Sequence, residues 1–220
     1  MKEMWKNWNA EMQFEGKLCA SVPSKKELVS TWLDARKPSV QPAGGKTIQE
    51  LTEEVTARLP DMDKENEELQ EKVTLVFEQF EGRLCVRSAN IRQHLKDCAS
   101  QIGNQFLGRE KGQRNFTTKI KNGLYLDGNV RDDFGTWLTY ILKDGKQVTE
   151  PDGYIEKPIR VRTLQGERSA LKKFAYILRP KFVFTLKILG DSIKRDDLET
   201  LFTYGAVHGF GGERSLQEGQ

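Results

Sequence analysis

Histidine and cysteine are scarce in this chain, which holds two histidines and three cysteines in 220 residues. Cys19, Cys85 and Cys98 form an odd set without a CxxC pair, so the sequence predicts reduced thiols in a cytosolic protein. Neither His94 nor His208 lies near two cysteines at ligand spacing. We therefore expect no metal site and no cofactor.

Long apolar runs are also missing. No stretch approaches the roughly 18 residues that a membrane-spanning helix needs. The N-terminus, MKEMWKNWNAEMQF, lacks the continuous apolar core of a signal peptide. We therefore expect a cytoplasmic location and no membrane partner. Enzyme motifs are lacking as well, since the GGK at 44–46 is not a P-loop and no nucleophile elbow occurs. No residue is predicted to be catalytic.

Charged residues, by contrast, are abundant and unevenly distributed. Residues 1–100 hold 15 Lys/Arg and 17 Asp/Glu, whereas residues 101–220 hold 20 and 15. The run 50–81 has 11 acidic residues against 3 basic ones, and the run 157–195 has 11 basic residues against 2 acidic ones. This segregation favours a polyanionic partner. The alternatives are a solvated surface or contacts between opposite runs of neighbouring copies.

Hydrophobic periodicity predicts alternating strands and helices. The predicted strands share alternating apolar positions and lie at 12–22, 73–80, 84–87, 154–163 and 181–188. The predicted helices share an apolar stripe at helical spacing and lie at 24–36, 47–59, 89–106 and 196–207. Capping boxes, Ser24 with Glu27 and Thr47 with Glu50, open the first two helices.

Two basic segments are predicted to lie outside the core, and both are candidates for RNA contact. Residues 103–130 are glycine-rich and are expected to form an extended or partly helical excursion. Residues 164–173 are expected to form a loop, and the pair Asp144-Gly145 predicts a hairpin. The basic candidates in the two segments are Arg109, Lys111, Arg114, Arg168, Lys172 and Lys173.

The order of the strongest elements predicts an α+β fold. Strand 12–22, helix 89–106, strands 154–163 and 181–188, and helix 196–207 fit a ferredoxin-like, RRM-like core with an antiparallel sheet. A single domain over 1–220 with two large insertions is expected. The first, 23–80, is helical and acidic, and the second, 103–153, is a basic, thumb-like excursion plus a hairpin.

Three stretches resemble the RAMP superfamily, the repeat-associated RNA-binding proteins of CRISPR systems. HGFGGERSLQEG at 208–219 is similar to the family's glycine-rich loop. LCVRSANIRQHLKDCA at 84–99 resembles its short strand, small-residue turn and basic helix. Residues 160–189 resemble the basic segment before its penultimate core strand. Val86-Arg87 stands where the family has Pro-Gly.

The resemblance implies a non-enzymatic backbone subunit of a ribonucleoprotein effector that binds single-stranded guide RNA independently of sequence. The implied partners are guide RNA, copies of the same chain and other effector subunits, with target nucleic acid as a further candidate. The implied RNA contacts are Ser88, Asn90, Arg92, Lys96, Gly209, Gly211, Gly212, Arg214 and Ser215.

Two other functions remain open from the sequence. The first is a non-enzymatic interaction or inhibitor protein, for instance phage-encoded, that keeps the same fold. The second is a processing endoribonuclease in which His94 or His208 acts as general base toward a 2′-hydroxyl.

Overall fold

The computed structural model describes residues 4–34, 46–60, 73–105, 116–163 and 166–210. The helices in these ranges are α1 (Lys26–Asp34), α2 (Ile48–Ala57), α3 (Ser88–Gln105), α4 (Phe116–Gly123) and α5 (Arg195–His208). The strands are β1 (Trp5–Gln13), β2 (Lys17–Cys19), β3 (Val22–Pro23), β4 (Val73–Val76), β5 (Glu78–Phe80), β6 (Arg83–Arg87), β7 (Leu124–Asp127), β8 (Val130–Arg131), β9 (Trp137–Tyr140), β10 (Leu142–Lys143), β11 (Lys146–Gln147), β12 (Gly153–Thr163), β13 (Gly166–Leu178) and β14 (Lys181–Leu189).

The architecture mixes helices with sheets whose strands pair mainly antiparallel. Within the described ranges the strands form three sheets, and the pairing of β4 with β13 is the parallel exception. This mixture agrees with the α+β class that the sequence predicts.

β14 is the central strand of the main sheet. It pairs antiparallel with β1 along its whole length, Trp5 facing Leu189 and Gln13 facing Lys181. The other edge of β14 pairs with β7. It also pairs at Lys181 with β10, which turns into β11. The strand order around β14 is therefore β1–β14–β7.

One face of the main sheet is buried under helices, and none of the described helices covers the other, here termed the open face. The buried β14 side chains are Phe182, Phe184, Leu186 and Ile188. They share a core with the apolar stripe of α3 and with residues of α4 and α5. The intervening side chains of β14 are half-buried or exposed. The predicted alternation of strand 181–188 and the predicted α3 stripe are both confirmed.

The predicted strand 12–22 is divided among three strands in two sheets. β1 begins at Trp5 and ends at Gln13, and it belongs to the main sheet. β2 and β3 follow, and they pair with β13 and β4 in the second sheet. The chain changes sheets at about Gly16, where glycine interrupts the apolar alternation.

The prediction of 154–163 as a core strand before β14 is wrong. β12 instead pairs with β13 in a long hairpin, from Gly153 facing Tyr176 to Thr163 facing Gly166. The predicted basic loop at 164–173 is therefore largely strand. The base of this hairpin has its own small apolar cluster with β2 and β4, formed by Cys19, Leu75, Phe174, Ile155 and Tyr176. Burial of this second cluster accounts for the separate sheet.

The prediction that 103–130 lies outside the core is wrong for the part that the structure describes. Phe116 and Ile120 of α4 are buried, and so are Leu124 and Leu126 of β7. β7 occupies the position beside β14 that 154–163 was predicted to take. Tyr125, between the two buried leucines, lies on the open face of the sheet opposite Lys187.

Helices α1 and α2 form a satellite layer over β3 and β4. Their buried apolar residues make a cluster separate from the main core, with Val29 and Val55 fully buried. The predicted capping box of α2 is confirmed, because Thr47 Oγ1 accepts from Glu50 N and Glu50 Oε2 accepts from Thr47 N. The helical character predicted within 23–80 thus holds for 26–34 and 48–57.

The third sheet joins β5, β6, β9 and β8. Gly128 lies so close to β9 that an added Cβ would be 2.1 Å from the Leu138 carbonyl oxygen. The predicted hairpin at Asp144-Gly145 is confirmed, since both residues have positive φ, 50° and 77°, between β10 and β11.

A buried ion cluster around Arg58 links α2 to the third sheet. Arg58 Nε lies 3.1 Å from Glu78 Oε2, and Nη2 lies 3.1 Å from Glu54 Oε1. Nη1 pairs with Asp132. Burial lowers the pKa of the Arg58 guanidinium, but the three carboxylates outweigh burial and raise it. Two further cations join the cluster, with Lys46 Nζ 2.7 Å from Glu54 Oε2 and Arg87 Nε 3.1 Å from Glu78 Oε1.

Candidate nucleic-acid interface

Arg92 projects from α3 toward the junction of α4 and β7. Its position follows from the helix period, because Ile91 and Leu95 face the core and Arg92 and Lys96 fall beside them at i, i+4. Arg92 Nε donates to the Leu124 carbonyl at 2.7 Å, and Nη2 donates to the Lys121 carbonyl at 3.3 Å. Two of the five guanidinium N–H groups thus donate to backbone carbonyls, and the Tyr125 side chain is a further hydrogen-bond partner of the guanidinium.

Arg92, Lys96 and Lys121 form a group of like charges, here termed the basic cluster. Burial lowers the pKa of the Lys96 ammonium, and the charges of Arg92 and Lys121 lower it further. Asp97 acts in the opposite direction without overcoming these effects. An anion bound at the cluster would relieve this repulsion, because it favours the charged form of each group.

An aromatic pair lies beside the basic cluster on the open face of the main sheet. The guanidinium carbon of Arg92 lies 4.3 Å from the centre of the Tyr125 ring. The rings of Trp5 and Tyr125 meet edge to face with their centres 5.2 Å apart. Lys187 Nζ lies 5.6 Å from the centre of the Trp5 ring and 3.2 Å from Asp127 Oδ2.

Two predicted contacts in the first turn of α3 differ in their surroundings. The Ser88 side chain is 1% exposed, and its hydroxyl pairs with Thr139 Oγ1 at 2.9 Å. The prediction of Ser88 as a phosphate contact is therefore corrected, since this hydroxyl packs inside the protein. Asn90 is half-buried and lies on the same helical turn as Arg92.

The other described basic candidates lie on a different sheet. Lys172 and Lys173 are half-buried on β13, where Lys173 Nζ lies 5.3 Å from the centre of the Tyr154 ring. They belong to the hairpin and not to the predicted loop. Arg168 is also on β13, in a stretch whose side chains are not described, and Arg109, Lys111 and Arg114 lie outside the described residues.

The glycine-rich segment is described only at its beginning. Gly209 ends α5 with φ 72° and donates its N–H to the Gly205 carbonyl. Phe210 then packs near two core rings, and its ring centre lies 6.0 Å from that of Phe14 and 5.7 Å from that of Phe182. The segment therefore starts from the main core. Gly209 is buried there, so the prediction of Gly209 as an RNA contact is corrected. The other predicted contacts lie outside the described residues: Gly211, Gly212, Arg214 and Ser215.

The two histidines are brought together across α3 and α5. The rings of His94 and His208 are stacked with their centres 5.9 Å apart. The Tyr204 ring also stacks on His208, with the ring centres 5.8 Å apart. His94 is 3% exposed, next to the Cys98 thiol. A base that acts on a 2′-hydroxyl needs access to its substrate, and the buried position of His94 disfavours that role.

Four residues of this surface were not predicted as contacts. They are Trp5, Lys121, Tyr125 and Lys187. Lys187 was recognisable as part of the polar face of strand 181–188, and the triplet Leu124-Tyr125-Leu126 alternates as an open-faced strand does. The missing information was the pairing of β1 and β7 with β14, which links residues far apart in sequence.

No protein-family model matches the chain, and no curated protein matches its sequence. None of the helices in the described ranges combines the length and apolar character required to cross a lipid bilayer. The same ranges contain no group of three His, Cys, Asp or Glu side chains arranged to hold a metal ion.

Proposed function

We propose that this protein binds the backbone of single-stranded RNA independently of base sequence. The observation that carries the proposal is the basic cluster, in which three cations from α3 and α4 converge beside an open sheet face. Lys and Arg side chains that neutralise phosphates release counterions, which gives salt-sensitive affinity without base readout. The Arg92 guanidinium carries N–H groups beyond those directed at Leu124, Lys121 and Tyr125, and the lowered pKa of Lys96 indicates a site that gains from an added anion.

A ferredoxin-like core is part of the proposal. It is supported by the succession of β1, α3, β7, β14 and α5, which runs strand, helix, strand, strand, helix. The strand order β1–β14–β7 and the helices on one face suit the same fold. The elements differ from those predicted, because β7 takes the role assigned to 154–163.

The finer proposal is a guide-RNA backbone subunit of the RAMP type, with copies of itself and other effector subunits as partners. Two features support it, namely the resemblance of the α3 and C-terminal segments and the long β12–β13 hairpin in the most basic run. A repeated subunit of this kind grips RNA without reading it, so that base pairing supplies the specificity. The experiment below also tests the two alternatives, an interaction protein that purifies without nucleic acid and an endoribonuclease.

The first experiment measures nucleic acid in the purified protein by its absorbance at 260 and 280 nm, followed by nuclease digestion. RNase-sensitive RNA of discrete length on a polymeric species would support the guide-backbone proposal. Protein free of nucleic acid that also fails to bind oligouridylate at low salt would overturn RNA binding. Cleavage of the RNA without added metal that disappears in His94→Ala or in His208→Ala would overturn the non-enzymatic role.

A charge-matched pair of variants tests the basic cluster itself. Replacement of its three residues with Gln should weaken oligouridylate binding and lower the slope of log affinity against log salt by about 2, since each phosphate contact on a single strand contributes about 0.7.

The control replaces three cations that are paired with carboxylates, Lys6, Lys143 and Arg195, with Gln. It carries the same change in net charge and should keep most of the slope. Equal losses in the two variants would show that only net charge matters.

A further inference from the structure

The open face of the main sheet carries an aromatic surface directly beside the basic cluster. On β1, Trp5 faces Leu189 of β14, and on β7, Tyr125 faces Lys187 of β14. Residues that face each other in an antiparallel pair lie on the same side of the sheet. Trp5 and Tyr125 therefore meet across β14. On this face Tyr125 is 37% exposed and Leu189 is 38% exposed.

We infer that Trp5 and Tyr125 form a stacking platform for an unpaired nucleobase of a strand whose phosphates lie on the basic cluster. This inference rests on the proposed function and extends it from the backbone to the bases. Every nucleobase has an aromatic face, so stacking adds affinity without sequence preference. It also restricts the ligand class to single strands, because the bases of a duplex are already stacked on one another.

The arrangement of charges around the two rings supports this occupant. Arg92 lies against Tyr125 at 4.3 Å, and Lys187 lies over Trp5 at 5.6 Å. Each ring thus adjoins a cation, and alternating rings and cations suit a strand with alternating bases and phosphates. Lys187 also pairs with Asp127, and Arg92 also donates to two backbone carbonyls. Lys187 lies at the outer limit of a cation–π contact, which extends to about 6 Å. Replacement of the Lys187 ammonium by a nucleobase on the Trp5 ring therefore loses little cation–π energy.

The surface is unlike a closed structural cluster in one respect. A buried aromatic pair is covered by apolar side chains, whereas several neighbours of this pair on the open face are polar, namely Asn7, Asn9, Thr185 and Asp127. Leu189, which faces Trp5, is apolar but 38% exposed. Trp5 is half-buried and Tyr125 is 37% exposed, and aromatic rings interleaved in this way with cations and amides match a nucleic acid better than they match an apolar protein partner.

Trp8 provides a matched control on the same strand. It faces Leu186, whose side chain is buried, so Trp8 projects to the opposite side of the sheet from Trp5. Its side chain is nevertheless 37% exposed. Trp5→Ala and Trp8→Ala therefore remove the same group from two faces of one strand.

The test compares the affinity of the full chain for oligouridylate and for an abasic ribose-phosphate chain of the same length. Fluorescence anisotropy of the labelled strands gives both affinities. Wild-type protein should prefer oligouridylate, and Trp5→Ala should lose roughly 5- to 150-fold in oligouridylate affinity, the range that removal of one stacking aromatic produces. The same variant should bind the abasic chain as wild type does, which also shows that it is folded. Trp5→Phe should keep most of the preference.

The outcomes separate the inference from the proposed function. If wild-type protein binds neither strand, both fail. If it binds the abasic chain as tightly as oligouridylate, or if Trp8→Ala lowers the preference as much as Trp5→Ala does, the stacking platform is overturned and backbone binding stands. Loss of the preference in Trp5→Ala and in Tyr125→Ala, with Trp8→Ala unaffected, supports the platform.

Discussion

Arg58 and Arg92 each organise a charged region, but the two regions have opposite compositions. Arg58 is buried among Glu54, Glu78 and Asp132, so its charge is balanced inside the protein. Arg92 instead has two backbone carbonyls, an aromatic ring and two further cations around it. An internally balanced charge holds elements together. A charge with like-charged neighbours destabilises the free protein locally and gains when an external anion binds.

The largest effect that separates the two regions is expected for Arg58→Met. Three carboxylates with side chains 2% exposed would lose their shared guanidinium. Removal of one partner from a buried ion pair costs about 3–5 kcal/mol. The free energy of unfolding, measured with urea and circular dichroism, should fall by that amount.

Arg195→Met is the control for this change, because Arg195 pairs with Glu199 at a site where the side chains are 73% and 62% exposed. It should change the free energy of unfolding by about 0.5 kcal/mol or less. Similar small losses in both variants would show that the Arg58 cluster does not stabilise the fold.

A smaller effect is expected for Glu54→Gln, and it should depend on pH. Burial raises the pKa of Glu54, but hydrogen bonds with Lys46 and Thr136 and the charges of Arg58 and Lys46 bring it below the ordinary value of 4.5. The folded state therefore takes up the proton less readily than the unfolded state. The stabilisation is complete above pH 4.5 and is lost as pH falls through the lowered pKa.

At neutral pH, Glu54→Gln should thus be less stable than wild type by about 1.5–3 kcal/mol, the worth of hydrogen bonds to a charged group. The difference should shrink in acid. A difference that stays constant from neutral pH to well below pH 4.5 would argue against a charge-dependent role of Glu54.

The smallest expected effect is a pH dependence of RNA affinity that comes from Lys96 of the basic cluster. Burial and two cations lower the pKa of Lys96 from 10.5, so this ammonium loses its proton at a lower pH than an ordinary lysine. A bound polyanion favours the charged form, and binding at alkaline pH is therefore accompanied by proton uptake. The affinity of wild-type protein should decline as pH rises toward 10.5, whereas Lys96→Arg should decline less because Arg stays protonated.

The measurement for Lys96 uses 2′-O-methyl oligouridylate, which resists alkaline cleavage. The two proteins should differ at alkaline pH by the equivalent of one phosphate contact, about 0.7 in the slope of log affinity against log salt. Parallel pH profiles for wild type and Lys96→Arg would place Lys96 outside the RNA site.

Local pattern was sufficient for several elements and for part of the site. The stripe of α3, the alternation of β14 and the capping box of α2 all depend on residues within a few positions of one another, and all three are confirmed. The i, i+4 spacing of Arg92 and Lys96 likewise predicted that they share a face. Ser88 belongs to the same helix, but its burial depends on Thr139, 51 residues away, and was not predictable from the helix alone.

The sequence by itself determined the α+β character, the helices α2, α3 and α5, the strand β14, and the separation of acidic and basic runs, because each follows from local periodicity or composition. Only the tertiary structure decided that β7, and not 154–163, lies beside β14. Both segments alternate apolar and polar residues, and the choice depends on which fits the main core. That same pairing brings Trp5, Tyr125 and Lys187 together on one face, since a sheet joins residues by register and not by their distance along the chain.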